Sequence, residues 1–351
     1  MWRDNEQNIG ILEQSAWGTP QAVSASYRKM LYEPGSVNED LNLGINTINT
    51  TSSKLLFATN NRVTVDNKPS YKRLSFSGFA TVKNISDHVQ GFFHRVTEDA
   101  ATPFLKQWLE PTSIDFKGGD GTVFSVVAGT RNPSVVSDGV QLQNAIVENL
   151  ELSIDLLAQS PEKYLKMQGN WVGTKMLTGQ NLSGTWKNED NSTTASYQPT
   201  YYNSNANPFI NSITLLIDSV DLSGCISKFS MMMKHNILAT NCLTSDGYPN
   251  QIVLGIPTID YVIEIPYNST TYIVLDKFKN GANVEFSAFG TNTAMTSLNG
   301  LRFYCDYGRL TKNPVITKDG YKAIQLNIKK YPLEVPVVSP IILSDGVDKN
   351  W

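Results

Sequence analysis

The stretch AIVENLELSID, Ala145–Asp155, carries the pattern that decides the fold class. Leu150, Leu152 and Ile154 alternate with polar residues, and this period of two places their side chains on one face of a β-strand. The polar residues between them must then point to the opposite face. The stretch therefore predicts a strand in a sheet that is buried on one side and polar on the other.

Segments with the same alternation occur on both sides of this stretch. They are RVTVD (62–66), KRLSFSGFATVKNI (72–85), FINSITLLID (209–218), CISKFSMMMKHNI (225–237), IDYVIEIPY (259–267) and LRFYCDYGRL (301–310). We expect the first two of them to pair with each other. Two further segments, TPFLKQWLEP (102–111) and IVLDKFKNG (273–281), predict short helices. The fold class that follows is all-β with one or two short helices.

The composition agrees with this fold class and excludes several classes of function. Charged residues make up 17% of the chain, below the roughly 25% of ordinary soluble proteins, and Asn, Ser and Thr supply the missing polarity. The formal net charge is −3 and no cluster of Lys and Arg occurs, so we expect no tight binding to nucleic-acid phosphates. No apolar stretch has the length of a membrane helix, and the N-terminus lacks the apolar core of a secretory signal. We expect a soluble chain that is made in the cytoplasm.

Residues that could support catalysis or metal binding are few and scattered. The three cysteines are odd in number and lack metal-like spacing, which favours buried free thiols in a reducing compartment: Cys225, Cys242 and Cys305. His88, His94 and His235 stand in strand-like or amphipathic settings, so we interpret them as structural histidines. Metalloprotease, P-loop, dinucleotide and lipase motifs are missing. The sequence predicts no enzyme, no metal and no cofactor.

An internal similarity suggests that the chain has two related halves. TRNPSVVSDGVQ (130–141) and TKNPVITKDGYK (311–322) share Thr, Asn, Pro, Asp and Gly at a constant offset of 311 minus 130, or 181 residues. A duplication explains these matches, and so does chance between two independent hairpins. With a duplication, the chain divides into an N-terminal arm (1–55), a first β domain (56–170), a polar connecting loop (171–208), a second β domain (209–335) and a C-terminal extension (336–351).

Two polar stretches are candidates for contacts between subunits. GILEQSAWGTP, Gly10–Pro20, has no periodicity of its own, but an aromatic anchor at Trp17 and a stiff proline suit a segment that lies across a neighbour. A disordered tail with an incidental tryptophan is the alternative. The stretch YQPTYYN (197–203) holds three tyrosines that suit a subunit contact or stacking on sugars: Tyr197, Tyr201 and Tyr202.

The opening stretch and the order of the segments resemble a known family, the tail tube (major tail) proteins of long-tailed bacteriophages. Many members begin with a glycine, an acidic residue and an aromatic-Gly-Thr step. The matching residues here are Gly10, Glu13, Trp17, Gly18, Thr19 and Pro20. The order of parts is also similar: an arm, a strand pair, a short helix, the strand that ends in NLELSID, a polar connection and a second set of strands.

The resemblance implies both a fold and a function. The fold is a tail-tube β-sandwich or barrel, in two tandem tube-type domains whose sheets join those of neighbouring subunits into a ring β-barrel. The function is that of a structural virion protein of a siphovirus-type tail, in which stacked rings form a tube that conducts double-stranded DNA during ejection without specific binding. The partners are further copies of the chain and the tail terminator, distal tail and tape measure proteins. No membrane is involved, and the chain passes from the host cytoplasm into the virion tail.

Several finer interpretations follow from the resemblance. Two tube-type domains per chain favour a trimeric ring with pseudo-six-fold symmetry over a true hexamer. Glu151 and Asp155 are candidates for acidic residues that face the lumen, although Lys329 lies on the corresponding face in the second half and a solvated outer face is the alternative. Two other protein classes compete with the tube: a β-sandwich adhesin or carbohydrate-binding protein of a virion or cell surface, and a β-rich hydrolase with paired carboxylates.

Overall fold

A computed structural model of the chain describes residues 7–19, 21–23, 26–30, 38–40, 45–48, 62–65, 71–81, 84–94, 96–99, 104–108, 116, 121–130, 139–159, 163–182, 186–187, 210–222, 226–238, 249–268, 271–272, 275–276, 280–291, 300–318, 320–331 and 340–345. The helix whose bounds lie within these residues is α1 (Ile85–Phe93), and Tyr272, Leu275 and Asp276 are also helical. The strands are β1 (Gln7–Glu13), β2 (Arg28–Met30), β3 (Asn38–Asp40), β4 (Ile45–Ile48), β5 (Arg62–Val65), β6 (Lys72–Phe79), β7 (Val96–Asp99), β8 (Phe104–Trp108), β9 (Phe124–Thr130), β10 (Gly139–Asp155), β11 (Lys166–Gly173), β12 (Lys175–Gln180), β13 (Ser212–Ile217), β14 (Val220–Asp221), β15 (Lys228–Lys234), β16 (Ile237–Leu238), β17 (Val253–Leu254), β18 (Thr258–Pro266), β19 (Val284–Thr291), β20 (Gly300–Leu310), β21 (Val315–Lys318), β22 (Tyr321–Lys330) and β23 (Ile341–Asp345).

The largest element of the fold is an antiparallel sheet, here called the long sheet. Its strands follow one another in space in the order β3, β6, β11, β10, β15, β18 and β22. The outer edge of β22 pairs with β21 and with the last residues of β20. Among the described residues, the sheet does not close on itself. The prediction of an all-β fold with a short helix is confirmed.

Strand β10 belongs to two sheets. Its first residues pair with β9 and β12, and together with β1 and β2 these strands form the first cover sheet. Its last seven residues, from Asn149, pair with β11 and β15 in the long sheet. Between the two parts, the register shifts between Val147 and Asn149 and Asn144 has a positive φ of 50°. Such irregularities bend a strand and increase its twist, which lets one strand pass between two sheets.

A second cover sheet lies over the other half of the long sheet. Its strands follow the order β14, β13, β19, β20, β23, β8 and β7. Aromatic side chains join the layers: Phe124 of β9 lies 5.3 Å from Trp171 of β11, and Phe229 of β15 lies 4.9 Å from Phe303 of β20, between ring centroids. Buried side chains of both halves form one continuous cluster. The two halves therefore share a sheet and a core.

Three local predictions are wrong. The spacing in residues 102–111 predicts a helix, but Phe104–Trp108 is strand β8, which pairs with β7 on one side and β23 on the other. The alternation in 72–85 predicts a strand to Ile85, but β6 ends at Phe79 and α1 begins at Ile85. The sequence also predicts that 62–66 pairs with 72–85, but among the described residues β5 pairs with β4 in a separate two-stranded sheet. Tertiary pairing decides each case against the local pattern.

Other predicted features lie partly outside the described residues. In the second predicted helix, the N–H of Asn280 donates to the carbonyl of Asp276, a helical hydrogen bond. The internal similarity joins antiparallel neighbours in both cases, β9 to β10 and β21 to β22. Strand β10 begins in the first cover sheet and then enters the long sheet, where β22 also lies. Cys305 is buried, as expected, whereas Cys225 and Cys242 lie outside the described residues. In the described part of the chain, no helix has the length and hydrophobicity needed to cross a bilayer.

Candidate functional site: the polar face of the long sheet

The face of the long sheet that points away from the core is polar, and it carries the predicted lumen residues. On β10, Leu150, Leu152 and Ile154 are buried, while Glu151 and Asp155 are half-exposed on the opposite face. The alternation predicted from the sequence is therefore present in the structure. We call this surface the polar face.

Cross-strand pairing arranges the residues of the polar face in rows that run across neighbouring strands. The row through Glu151 contains Ser77, Gln168, Glu151, Met232, Asp260, Lys329 and Arg309, in that order. The row through Asp155 contains Asp155, Lys228, Glu264 and Gln325. Residues of both halves thus contribute to the same surface without a break, because β10 and β15 pair directly.

The two acidic candidates both have partners within the chain. Glu151 accepts a hydrogen bond of 2.7 Å from Gln168 Nε2 and one of 3.3 Å from Ser230 Oγ. Asp155 Oδ1 accepts a hydrogen bond of 3.0 Å from the backbone N–H of Leu157 and so stabilises the turn after β10. These bonds hold both carboxylates in fixed positions on the polar face.

The polar face is charge-balanced rather than acidic. Its acidic residues are Glu148, Glu151, Asp155, Asp260 and the buried Glu264, and its basic residues are Arg73, which is paired with Glu148, Lys166, Lys228, Lys234, Lys329 and Arg309. The two signs of charge are thus present in nearly equal numbers. Lys228 lies in register between Asp155 and Glu264, and Lys329 lies opposite Asp260. Opposite charges on neighbouring strands attract each other and reduce the field that either would exert on a passing ion.

A shallow depression opens on the polar face where the two halves meet. Its volume is about 410 Å³, and its polar lining comes from β6, β10, β11 and β15. The lining includes Ser75, Asn149, Glu151, Gln168 and Lys234. These neutral and mutually compensating side chains hold no cluster suited to catalysis, and the described residues contain no group of three or more His, Cys, Asp and Glu that could bind a metal.

The opening stretch of the chain packs against its own subunit. Strand β1 pairs with β2 and β9 in the first cover sheet. The turn that follows is held by Asn144, whose Oδ1 accepts a hydrogen bond of 2.9 Å from Gly18 N–H and whose backbone N–H donates one of 2.7 Å to Gln14 Oε1. Gly18 has a φ of +75°, which favours glycine at this position. Sequence reasoning missed Asn144, because nothing in the local pattern distinguishes it from other strand polar residues.

The turn places Trp17 on a small apolar cluster beside the polar face. The indole ring stacks on Phe116 with ring centroids 5.7 Å apart. The buried members of this satellite cluster are Tyr71, Phe116, Val123, Ile146, Val172 and Ile252. Glu13 and Thr19 remain exposed at the same turn, and Gly10 lies under the ring of Trp186. Pro20 and the tyrosines Tyr197, Tyr201 and Tyr202 lie outside the described residues.

The three histidines are buried structural residues, as the sequence predicts. His88 Nδ1 donates to the carbonyl of Asn84 at 2.9 Å, and His235 Nε2 donates to the carbonyl of Phe92 at 2.7 Å. The rings of His94 and His235 stack with centroids 5.7 Å apart. Burial lowers the pKa of His88 and of His235 from 6.5 to about 4, and burial together with His235 lowers the pKa of His94 well below its usual range. All three rings are neutral at pH 7.

Comparison with known proteins identifies the family. A search among curated protein sequences found no match. A family profile described as phage tail tube protein matches residues 4–329, nearly the whole chain. An antiparallel sheet with one buried and one continuous polar face agrees with that match, and the family assignment supports a structural component of the virion tail that assembles into a tube. The chain belongs to the phage tail tube protein family.

Proposed function

We propose that the chain assembles into rings that stack into the tail tube, with the polar face lining the lumen. The observation that carries this proposal is the long sheet itself: one face is buried under two cover sheets, and the other carries mostly polar and charged residues from β6 to β22. A lumen filled with water requires such a face. In a ring, strands of neighbouring subunits would cover the sheet edges of each subunit. This prevents the aggregation that unpaired sheet edges favour.

A charge-balanced lining suits the passage of double-stranded DNA. Lysines that face a lumen without compensation would attract phosphates and slow a moving duplex. Here Lys228 and Lys329 have acidic residues opposite them in register. Because the charges compensate each other locally, the DNA meets little net attraction. The duplex therefore passes without specific binding.

We infer that the ring is a trimer with pseudo-six-fold symmetry rather than a hexamer. Each half of the chain contributes three central strands to the long sheet, β6, β11 and β10 from one and β15, β18 and β22 from the other. Each set lies under its own cover sheet. The seven residue pairs between β10 and β15 join the two sets within one chain. In a trimer, the two outer edges of the long sheet, with β3 on one side and β20 and β21 on the other, would face neighbouring subunits. The segments 56–170 and 209–335 would act as two tube-type domains.

The remaining contacts of the tube follow from its role. We propose contacts between neighbouring subunits at the exposed side of the N-terminal turn, with Glu13 and Thr19, and at the tyrosines of residues 197–203. The tail terminator, distal tail and tape measure proteins would be the heterologous partners, and assembly would take place in the host cytoplasm before the chain becomes part of a non-contractile tail. The adhesin alternative rested on the tyrosines of residues 197–203 and on the loops rich in Asn and Thr, and it gains no support from the family match.

Negative-stain electron microscopy of the purified full-length chain tests this function. We expect stacked rings with a central hole wide enough for a DNA duplex, and end-on averages with three-fold symmetry. Averages with true six-fold symmetry would contradict the trimer but not the proposed tube function. Monomers that form neither rings nor tubes at any protein concentration or ionic strength would contradict the tube itself.

A further inference from the structure

Large apolar side chains that remain exposed are concentrated at the two ends of the long sheet. Eight such residues occur in the described part of the chain: four of them lie one or two residues outside a strand end, Val315 begins β21, and Tyr272 lies six residues after β18. The other two are Met232 on the polar face and Leu216 on the second cover sheet. Scattered exposed apolar residues need no explanation, but a concentration at particular positions indicates a contact surface.

The first end of the sheet, here called the upper end, is where β18 begins and β22 finishes. Ile256 is 75% exposed and lies two residues before β18. Tyr331 directly follows β22 and is also exposed. Ile259 pairs with Lys330, so the start of β18 and the end of β22 lie side by side. Ile256 and Tyr331 therefore belong to the same end.

The opposite end, here called the lower end, is where β10 and β18 finish. Leu157 is 76% exposed and lies two residues after β10. Tyr267 directly follows β18 and is exposed. Asp155 and Glu264 lie in one cross-strand row, so β10 and β18 end at nearly the same height along the strand direction. Leu157 and Tyr267, which follow these ends, therefore lie at the same end of the sheet. The length of β18 separates the two ends by about 27 Å, at roughly 3.4 Å per residue.

We propose that Ile256 at the upper end of one subunit and Leu157 at the lower end of a subunit in the next ring belong to one axial interface. This inference rests on the proposed function. Opposite ends of one rigid sheet cannot touch within a subunit, and a contact between unlike ends repeats from copy to copy without closing. A tube that grows by adding rings requires a contact of this kind. We therefore assign a second copy of this chain as the partner that covers each exposed end.

Single substitutions at the two ends test the interface. Ile256→Ser and Leu157→Ser should each raise the protein concentration needed for tube growth by roughly tenfold or more, because a large aliphatic side chain would no longer be buried between rings. Leu216→Ser is the matched control, since Leu216 is 44% exposed on the second cover sheet away from both ends. Thermal unfolding should be unchanged in all three variants. The readout is sedimentation of tubes, with electron micrographs of the pellet.

Mixing two blocked variants tests the polarity of the contact. Rings of Ile256→Asp keep an intact lower end, and rings of Leu157→Asp keep an intact upper end. Neither should polymerise alone, but a mixture should give pairs of rings that grow no further. Chains of rings from either variant alone, or unchanged tube growth by both serine variants, would overturn the axial interface while leaving the tube function standing. A wild-type chain that forms no tube would instead count against the proposed function.

Discussion

The backbone N–H of Gly18 donates a hydrogen bond of 2.9 Å to the side-chain oxygen of Asn144, although 126 residues separate the two in the chain. Asn144 is buried in β10, just before that strand passes from the first cover sheet into the long sheet. Its side-chain nitrogen donates a further bond of 2.8 Å to Thr174 Oγ1. The N-terminal turn is thus attached to the point where the two sheets meet.

Asn144→Ala should destabilise the folded chain by about 1–3 kcal/mol. The substitution removes the acceptor of Gly18 N–H and the donor to Thr174, and it places alanine at a φ of 50° that favours Asn or Gly. Asn149→Ala is the control, because Asn149 is half-exposed on the same strand. Urea unfolding measures both variants. Equal stability of the two would show that the buried network contributes nothing.

Trp17→Ala should lower the melting temperature of the isolated chain. Trp17 is half-buried and stacks on Phe116 of its own subunit, so truncation leaves a gap in the satellite cluster that costs about 1–3 kcal/mol. Thermal unfolding followed by tryptophan fluorescence and circular dichroism measures the loss. Leu157→Ala, at an exposed position, should leave the melting temperature unchanged. If Trp17→Ala abolished tubes without any change in melting temperature, Trp17 would act on a neighbouring subunit and not on its own.

Local periodicity is sufficient to predict the strands that form the sandwich. The alternation in Ala145–Asp155 places Leu150 and Glu151 on opposite faces, and the structure has them so. The same reasoning predicts β6, β13, β15, β18 and β20. Each of these strands has one buried face and one exposed face, so the alternation of apolar and polar residues in its own sequence shows which face packs against the core.

Features that depend on distant residues are not predictable in this way. Residues Phe104–Trp108 have helical spacing, yet they pair with β23 from the far end of the chain. The attachment of the N-terminal turn depends on Asn144, which carries no local signature in the sequence. The charge balance of the polar face also arises only when β15, β18 and β22 are placed side by side. In each case the deciding interaction joins residues that are distant in the chain.

Gly169→Ala should disrupt the centre of the long sheet. A Cβ atom at this position would overlap the carbonyl oxygen of Asn149 and would lie 3.1 Å from the ring of Phe76. Backbone cannot move aside as a flexible side chain can, so we expect a loss of about 3 kcal/mol or a change of register between β10 and β11.

The control for Gly169→Ala is Gly320→Ala. Gly320 has a φ of +81°, but no atom lies within 4 Å of the position that an alanine Cβ would occupy there. Only the backbone cost of about 1 kcal/mol therefore applies to this control. Denaturant midpoints compare the two variants, and electron microscopy shows whether tubes still form. A smaller loss at Gly169 than at Gly320 would contradict the close approach of β10 and β11.

Acid should destabilise the chain through its buried histidines. In the unfolded chain a histidine has a pKa of about 6.5, whereas burial lowers the pKa of His88 and of His235 to about 4. Between these values the unfolded state binds more protons than the folded state, so stability rises with pH. The stabilisation is complete above pH 6.5 and is lost as the pH falls towards 4. Each of these two histidines accounts for about 3 kcal/mol of that loss.

His235→Gln separates this effect from the titration of carboxylates. Glutamine keeps a side-chain donor for the carbonyl of Phe92, which His235 Nε2 contacts at 2.7 Å, but it does not titrate. The variant should be less stable than the wild type at pH 7, because the ring stacking on Phe92 at 4.1 Å is lost. Its free energy of unfolding should nevertheless fall less steeply between pH 6.5 and pH 4. Parallel pH profiles for the variant and the wild type would mean that His235 takes up no additional proton on unfolding, and that the acid sensitivity of the fold lies in its carboxylates.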